Sequence, residues 1–326
     1  MSTSTYKLFV PKEHPLSLNT SLEFRKPTAD DYTAVAEIHN AQNEPDQHYT
    51  PEQFKRRDEP SSQRDPYARR YVAVQAGEVI ATGYRCHDWW GFTYPGRYWV
   101  NLYVRRDYQG QGVDTQMLHH ALKDLEPPAQ EVWTVIREDF LEQAGFVNEG
   151  FEIQGRTWGA HLDLMTLEPE RFRSVRERLE SEGIRFLPYH ALDDPEKHAK
   201  VQALHAEAKR DMPLFEPIVT AEFDDVEDEA TLPETVMVAV MGGEIVGVSS
   251  VEQGDWMRHF GLTAVTATYR YRGIGRVLKA LSAEATKNLG HTHINSGGAG
   301  TDTPILRVNR ALGFEIEPAW LTLARR

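Results

Sequence analysis

Apolar residues recur along the chain in two rhythms. At Leu22-Glu23-Phe24-Arg25, and again at Ile184-Arg185-Phe186-Leu187-Pro188-Tyr189, they alternate with the period of a half-buried strand. Behind each strand the spacing turns helical. Tyr32, Val35, Ala36 and Ile38 share one face after Asp30-Asp31, and Val201, Leu204, His205 and Ala208 share one within residues 195–210. Further along the second half the pattern predicts strands at 235–240, 245–251 and 261–267, then a helix over 275–289 with Val277, Leu278, Leu281 and Ala285 on its apolar face. A strand near 292–295, a helix over about 303–312 and a last strand from Phe314 complete the half. Strands joined first by tight turns and then by helical crossovers predict an α/β (α+β) fold, a mixed and mostly antiparallel sheet flanked by helices.

The same order of elements occurs twice. Gly77-Glu78-Val79-Ile80 pairs with Gly243-Glu244-Ile245-Val246, each reading as a hairpin turn. The stretch from Val104 through Asp107-Tyr108-Gln109-Gly110-Gln111-Gly112 aligns without gaps on the stretch from Val265 through Thr268-Tyr269-Arg270-Tyr271-Arg272-Gly273. Ala144-Gly145-Phe146 likewise matches Leu312-Gly313-Phe314, and all three pairs lie roughly half a chain apart in the same order. Two tandem copies of one domain are therefore expected, at residues 20–166 and 184–326. Residues 167–183, rich in Glu and Arg, open with Glu168-Pro169 and close on Gly183, as a capped polar linker helix does.

Charge narrows the partners. With 36 Lys and Arg against 49 Asp and Glu, the net charge is −13, which repels phosphate backbones and anionic membranes, so neither nucleic acid nor a membrane surface is expected. The longest apolar run, 236–248, is interrupted by Gly242-Gly243-Glu244 and falls short of the ~18 residues of a spanning helix. One cysteine, Cys86, cannot make an internal disulfide, and a cytoplasmic location is expected. No metal-ligand spacing occurs.

The most informative segment runs from Val265 into Arg270-Tyr271-Arg272-Gly273-Ile274-Gly275-Arg276 and on into the amphipathic helix. Glycines at a strand-to-helix turn leave the first-turn N–H groups open, and the helix dipole favours an anion there, so the segment reads as a diphosphate site. It is not a P-loop, which needs Lys-Ser/Thr after its last glycine, nor a dinucleotide fingerprint, which needs a glycine where Leu278 stands.

Arg270, Gly273 and Gly275 complete the Arg/Gln-x-x-Gly-x-Gly/Ala signature, and in this the sequence resembles the GCN5-related N-acetyltransferase (GNAT) superfamily, in a tandem arrangement similar to that of mycothiol synthase. The resemblance implies acetyl-CoA as cosubstrate. Its pantetheine arm pairs with the backbone of Val265 and Ala267, and its diphosphate is taken by Arg270, Arg272, Gly273, Ile274, Gly275 and Arg276. The first copy offers a second site at Val104, Gln109, Gly110, Gln111 and Gly112, but Asp114 occupies the final small position and is expected to repel the diphosphate. Many family members carry a tyrosine near the coenzyme sulfur, and alignment on Leu312-Gly313-Phe314 puts Asn309 there, a contact for the thioester or the pantetheine arm rather than an acid.

His259 is the expected base, acting through water, with Asp255 and Glu222 behind it. The expected activity is direct acetyl transfer to a primary amine of a small molecule or peptide in the C-terminal domain, and the alternative is a non-catalytic acyl-CoA sensor or scaffold. A monomer is slightly favoured over a homodimer, because a tandem copy can supply the contact that single-domain relatives obtain by dimerising. The aromatics Trp89, Trp90, Phe92, Tyr94, Tyr98 and Trp99 are expected at a domain interface or around the acceptor. The acidic run 222–229 is a solvated loop, an attractor of cationic amines, or a dock for Lys55-Arg56-Arg57 and Arg69-Arg70.

Overall fold

A computed structural model describes residues 22–43, 48–59, 65, 67–89, 92–93, 96–123, 125, 129–139, 142–211, 225–253, 258–300 and 303–326, with backbone alone at 88–89, 92–93, 142–144 and 258. The chain forms two compact units. One ends at Gln154 and takes back Trp320–Arg326; the other is Gly155–Ala319.

In chain order the first unit holds β1 (Glu23–Arg25), α1 (Tyr32–Asn40), α2 (Pro51–Asp58), β2 (Arg69–Gln75), β3 (Glu78–Cys86), β4 (Asp88–Trp89), β5 (Phe92–Thr93), β6 (Arg97–Val104), α3 (Val113–Ala121), β7 (Glu131–Arg137) and α4 (Glu142–Asn148). Then β8 (Glu152–Asp163) enters the second unit, followed by α5 (Arg173–Ser181), β9 (Arg185–Pro188), α6 (Lys197–Arg210), β10 (Met237–Met241), β11 (Glu244–Ser249), β12 (Val251–Gln253), β13 (Arg258–Phe260), β14 (Ala264–Val265), α7 (Ile274–Asn288), β15 (His293–Ala299), α8 (Pro304–Leu312) and β16 (Glu315–Ile316). The final strand, β17 (Trp320–Arg325), belongs to the first unit, where it pairs with β7. The mixed, mostly antiparallel sheets flanked by helices are those predicted.

The two halves repeat in fine detail. Both hairpins turn through two residues of positive φ, Ala76 and Gly77 between β2 and β3, Gly242 and Gly243 between β10 and β11, which matches the right-handed twist of the strands. Each hairpin carries a register shift, between Ala73 and Val74 in one and between Ala239 and Val240 in the other. Among the described residues each unit also contains one parallel pairing in an otherwise antiparallel set, β6 with β7 and β13 with β15.

Three expectations need correction. The strand predicted over 261–267 is broken: β13 ends at Phe260, β14 covers Ala264–Val265, and Ala267–Tyr269 is a 3-10 turn. Its neighbour breaks at Ser250 for a visible reason, since Thr235 Oγ1 accepts the Val251 N–H at 3.0 Å in place of a ladder partner. Second, the domain boundary moves. The first copy's last strand, β8, pairs with β15 of the second unit over seven rows, while β17 serves the first, so the copies have exchanged terminal strands. Third, α5 is no linker. Leu179 is fully buried with Ile184, Ala239, Val246, Ile274 and Leu278, and Val175 packs on the same cluster.

Leu179→Ala is accordingly expected to destabilise the protein by about 2–5 kcal/mol, as for any fully buried leucine. Denaturant unfolding followed by far-ultraviolet circular dichroism measures it, and a loss within the ~0.5 kcal/mol typical of surface positions would return α5 to the status of a linker.

Candidate active site

The loop before α7 is held by its own side chain. Arg270 Nε donates to the Val265 carbonyl at 2.8 Å, five residues back, and in the first unit Gln109 Nε2 donates to the Val104 carbonyl at 3.1 Å, also five back. This shared clip explains why either Arg or Gln serves at the position. Past it, Tyr271 (φ 62) and Gly273 (φ 101) occupy the left-handed region, as do Gly110 (φ 72) and Gly112 (φ 77). Gly273 and Gly112 are the N-caps of α7 and α3. Neither offers a capping side chain, so the free N–H groups of the first turn face outward, the arrangement that accepts a diphosphate.

The arginines divide their duties differently from the expectation. Arg270 is paired with Asp211 and lies 3.5 Å from Glu207, both within or at the end of α6. Arg272 is paired with Glu182, and its carbonyl accepts from Arg178 at 2.6 Å. Both build the loop, with their charge already balanced. Arg276 is different: its Nε is buried without a partner, an orphaned donor one turn into α7. The backbone groups expected to pair with a pantetheine arm are partly engaged within the protein. The Ala267 N–H is bonded to Glu207 at 2.7 Å and the Val265 carbonyl to Arg270, which leaves the edge of β14 before Val265, where β14 has no strand on its other side among the described residues. A Cβ on Gly275 would sit 3.6 Å from Val265 and 3.9 Å from Thr263, so this glycine opens the space between that edge and α7.

Followed backwards from the loop, the edge leads to a fork. β13 and β15 are paired at His259 and Asn295 and then diverge. His259 sits at the fork with Glu252 of β12 opposite it, Nε2 to carboxylate 3.2 Å, so that the carboxylate orients the imidazole. The other face of the fork carries a cluster. Asn309, fully buried on α8, donates from Nδ2 to Ser296 Oγ at 3.0 Å while its Oδ1 finds no partner. Lys279 of α7 donates to the same Ser296 Oγ at 3.0 Å, with its ammonium 3.9 Å from the centroid of Phe260. Glu252, Ser296 and Lys279 were not among the residues read from the sequence. Glu222 and Asp255 lie outside the described residues.

These orphaned buried atoms and the glycine-lined opening fit a long, polar, phosphate-bearing ligand. Residues 32–146 match the acetyltransferase (GNAT) family. Over the whole chain the fold is that of solved GNAT proteins. A GCN5-related N-acetyltransferase of Sphaerobacter thermophilus superposes with a TM-score of 0.63 at 18% identity, over 93% of this chain and 95% of that one. A glucosamine N-acetyltransferase region of a fungal multidomain β-N-acetylglucosaminidase gives 0.59 at 16% identity, over 94% of this chain and 38% of that one. A tandem GNAT protein of the clavulanic acid biosynthesis pathway gives 0.55 at 14%, over 94% and 98%. Such identities establish the fold alone. No curated protein matches the chain.

The two GNAT-like units differ at the fork. Where the second has His259 beside Asn295, the last paired row of β6 and β7 in the first is Trp99 beside Trp133, both buried with ring centroids 5.6 Å apart. Tyr98 is buried as well, its ring centroid 4.0 Å from that of His87, and Trp99 packs in a cluster with Cys86 and Trp133; residues 90 and 94 and the side chains of Trp89 and Phe92 lie outside the described set. Asp114 points toward α4, where a Cβ on Gly145 would collide with its carboxylate, so it fills space between α3 and α4. The described part of the acidic run is engaged within its own unit, Asp225 with His198 at 2.9 Å and Glu227 with the Tyr189 hydroxyl at 2.7 Å, while Arg70 is paired with Asp58. Among the described residues no group of three or more His, Cys, Asp or Glu is placed to hold a metal, and no helix is long and apolar enough to cross a membrane.

Burial raises the Asp114 carboxyl above its ordinary range, with Glu149 adding repulsion. A carboxyl whose folded pKa is raised binds its proton more tightly folded than unfolded, so its contribution to stability falls as pH rises through that interval. Asp114→Asn is expected to stabilise the protein near neutral pH and to remove that decline, measured by thermal unfolding across the acid range; a parallel shift at every pH would contradict the assignment.

Proposed function

We propose that the protein transfers an acetyl group from acetyl-CoA directly to a primary amine of an acceptor, a small molecule or peptide, and that the working site is in the second unit. The observation that carries this is the succession along the chain of an unpaired edge at β14, the Gly273-capped start of α7 with the Gly275 opening and the Arg276 donor, and the polar fork at β13 and β15. The first unit has the loop but closes its fork with two indoles, which supports a structural part for it. The fork of the second unit provides what transfer needs: His259, oriented by Glu252, to take the proton of the attacking amine, and the Asn309 amide to hold the thioester region. A relative described as a glucosamine N-acetyltransferase makes amino sugars the first acceptors to screen. The lack of the tyrosine expected at Asn309 favours one other reading, an acyl-CoA sensor without turnover; binding with no thiol released for any amine would select it.

Gly275 gives the cleanest test, because its backbone is not left-handed and a side chain there enters the opening rather than straining the helix. Gly275→Leu should weaken acetyl-CoA binding by tenfold or more, about 1.4 kcal/mol, in calorimetric titration of the intact protein, with unfolding unchanged. Undiminished binding would move the coenzyme site out of the second unit.

A further inference from the structure

Lys279 has no structural reason to be a lysine. It is 1% exposed, and among the described residues no carboxylate is paired with it. Its surroundings are Phe260 of β13, Ser296 of β15, Asn309 of α8 and the Phe314 ring, 5.5 Å from Nζ. The ionisable pair nearby, His259 of β13 with Glu252 of β12, belongs to the neighbouring row, and successive strand residues face opposite sides of a sheet. Burial alone pushes the Lys279 amine down to about 7. Continuing the gap-free alignment of the two loops into their helices puts Leu118 of α3 opposite Lys279, and Leu118 is equally buried. The fold thus accepts leucine here, and the second unit carries a costly buried amine instead.

Its place in the site is distinctive. Phe260 and Ser296 are the first residues beyond the His259–Asn295 row, so Nζ lies over the point where the strands part. From Val265 back to Phe260 is roughly 16 Å of extended chain, room for an arm anchored at the loop to end at this point. Ser296 Oγ already accepts two hydrogen bonds, from Lys279 and Asn309, so its own hydrogen is left to donate.

Resting on the proposed coenzyme site, we propose that Lys279 is a positioning residue for the departing thiolate, acting through Ser296 as its source of positive charge and of a proton. As the amine nitrogen bonds to the acetyl carbon, the carbon–sulfur bond breaks with its electron pair going to sulfur. Ser296 passes its hydroxyl proton to that sulfur and is refilled from the Lys279 ammonium. The proton lost by the amine leaves through His259, and one taken from solvent restores Lys279, so the products are amide and thiol. A buried ammonium next to a thiolate favours the ionised thiol, as lysine does beside a reactive cysteine.

The test needs no acceptor. Coenzyme A is bound to the intact protein and its thiol titrated by near-ultraviolet thiolate absorbance, with the same protein lacking coenzyme as reference. The bound thiol should ionise at least one pH unit below the free coenzyme in the wild type. Lys279→Met, close in shape and without the charge, should bind coenzyme A within about threefold of wild type and return the thiol to its solution titration, and Ser296→Ala should reduce the shift. An identical thiol titration in wild type and Lys279→Met, with binding intact, overturns the proposal. Failure of the wild type to bind coenzyme A at all would instead overturn the site on which it rests.

Discussion

The left-handed turn at Gly273 is the constraint on which the rest of the site depends. A residue with a side chain resists that conformation, and here an added Cβ would also meet Val175 of α5 at 2.8 Å. Because the chain reverses there, α7 starts directly behind the loop with its N–H groups outward. The Arg270 side chain can then reach back to Val265, and the edge of β14 is left open. Arg272 with Glu182, and Arg270 with Asp211, tie the turn to α5 and α6, so the loop is braced by ion pairs on both sides.

Much of this was legible in the residues. The alternation at Ile184–Tyr189, the Gly-Glu hairpin turns and the helix over about 303–312 rest on local signals with local causes, and the structure has all three. The repeat was legible too, because a duplicated chain keeps its turn chemistry even where other side chains have drifted. What could not be read was pairing between distant residues. That Glu252 faces His259 depends on a break at Ser250 and another after Phe260, neither of which has a periodic signature. Lys279 was hidden for a related reason: Gly275, Lys279, Ser282 and Thr286 form a small polar stripe on α7 that reads as a solvent face, yet the last three are buried. The sequence also shows that Arg270 is charged and near the loop; only the positions of Glu207 and Asp211 show the charge already balanced.

The comparison of the two units turns duplication into a control. They share the side-chain clip, the hairpin geometry and a parallel strand pairing. They differ where chemistry is proposed: tryptophans against His259 and Asn295, Asp114 against Gly275, Leu118 against Lys279. The shared features are what the fold requires, and the divergent ones are free to serve function. The family match within 32–146 follows the first set, since the features that make a sequence recognisable as this fold are not the same as those that equip a fork for transfer.

The exchange of terminal strands has a consequence in time. β7 lies within the first half of the chain, but its partner β17 follows the whole of the second unit. During synthesis the first unit must therefore wait, with a strand edge unpaired, until the whole of the second unit has emerged. Pairing across so much intervening chain is slow, and an open edge is prone to capture by other strands. Neither half is then a separable cassette: cutting the gene between the copies removes a strand from each sheet, and the first unit reaches its native form only when β17 returns to β7.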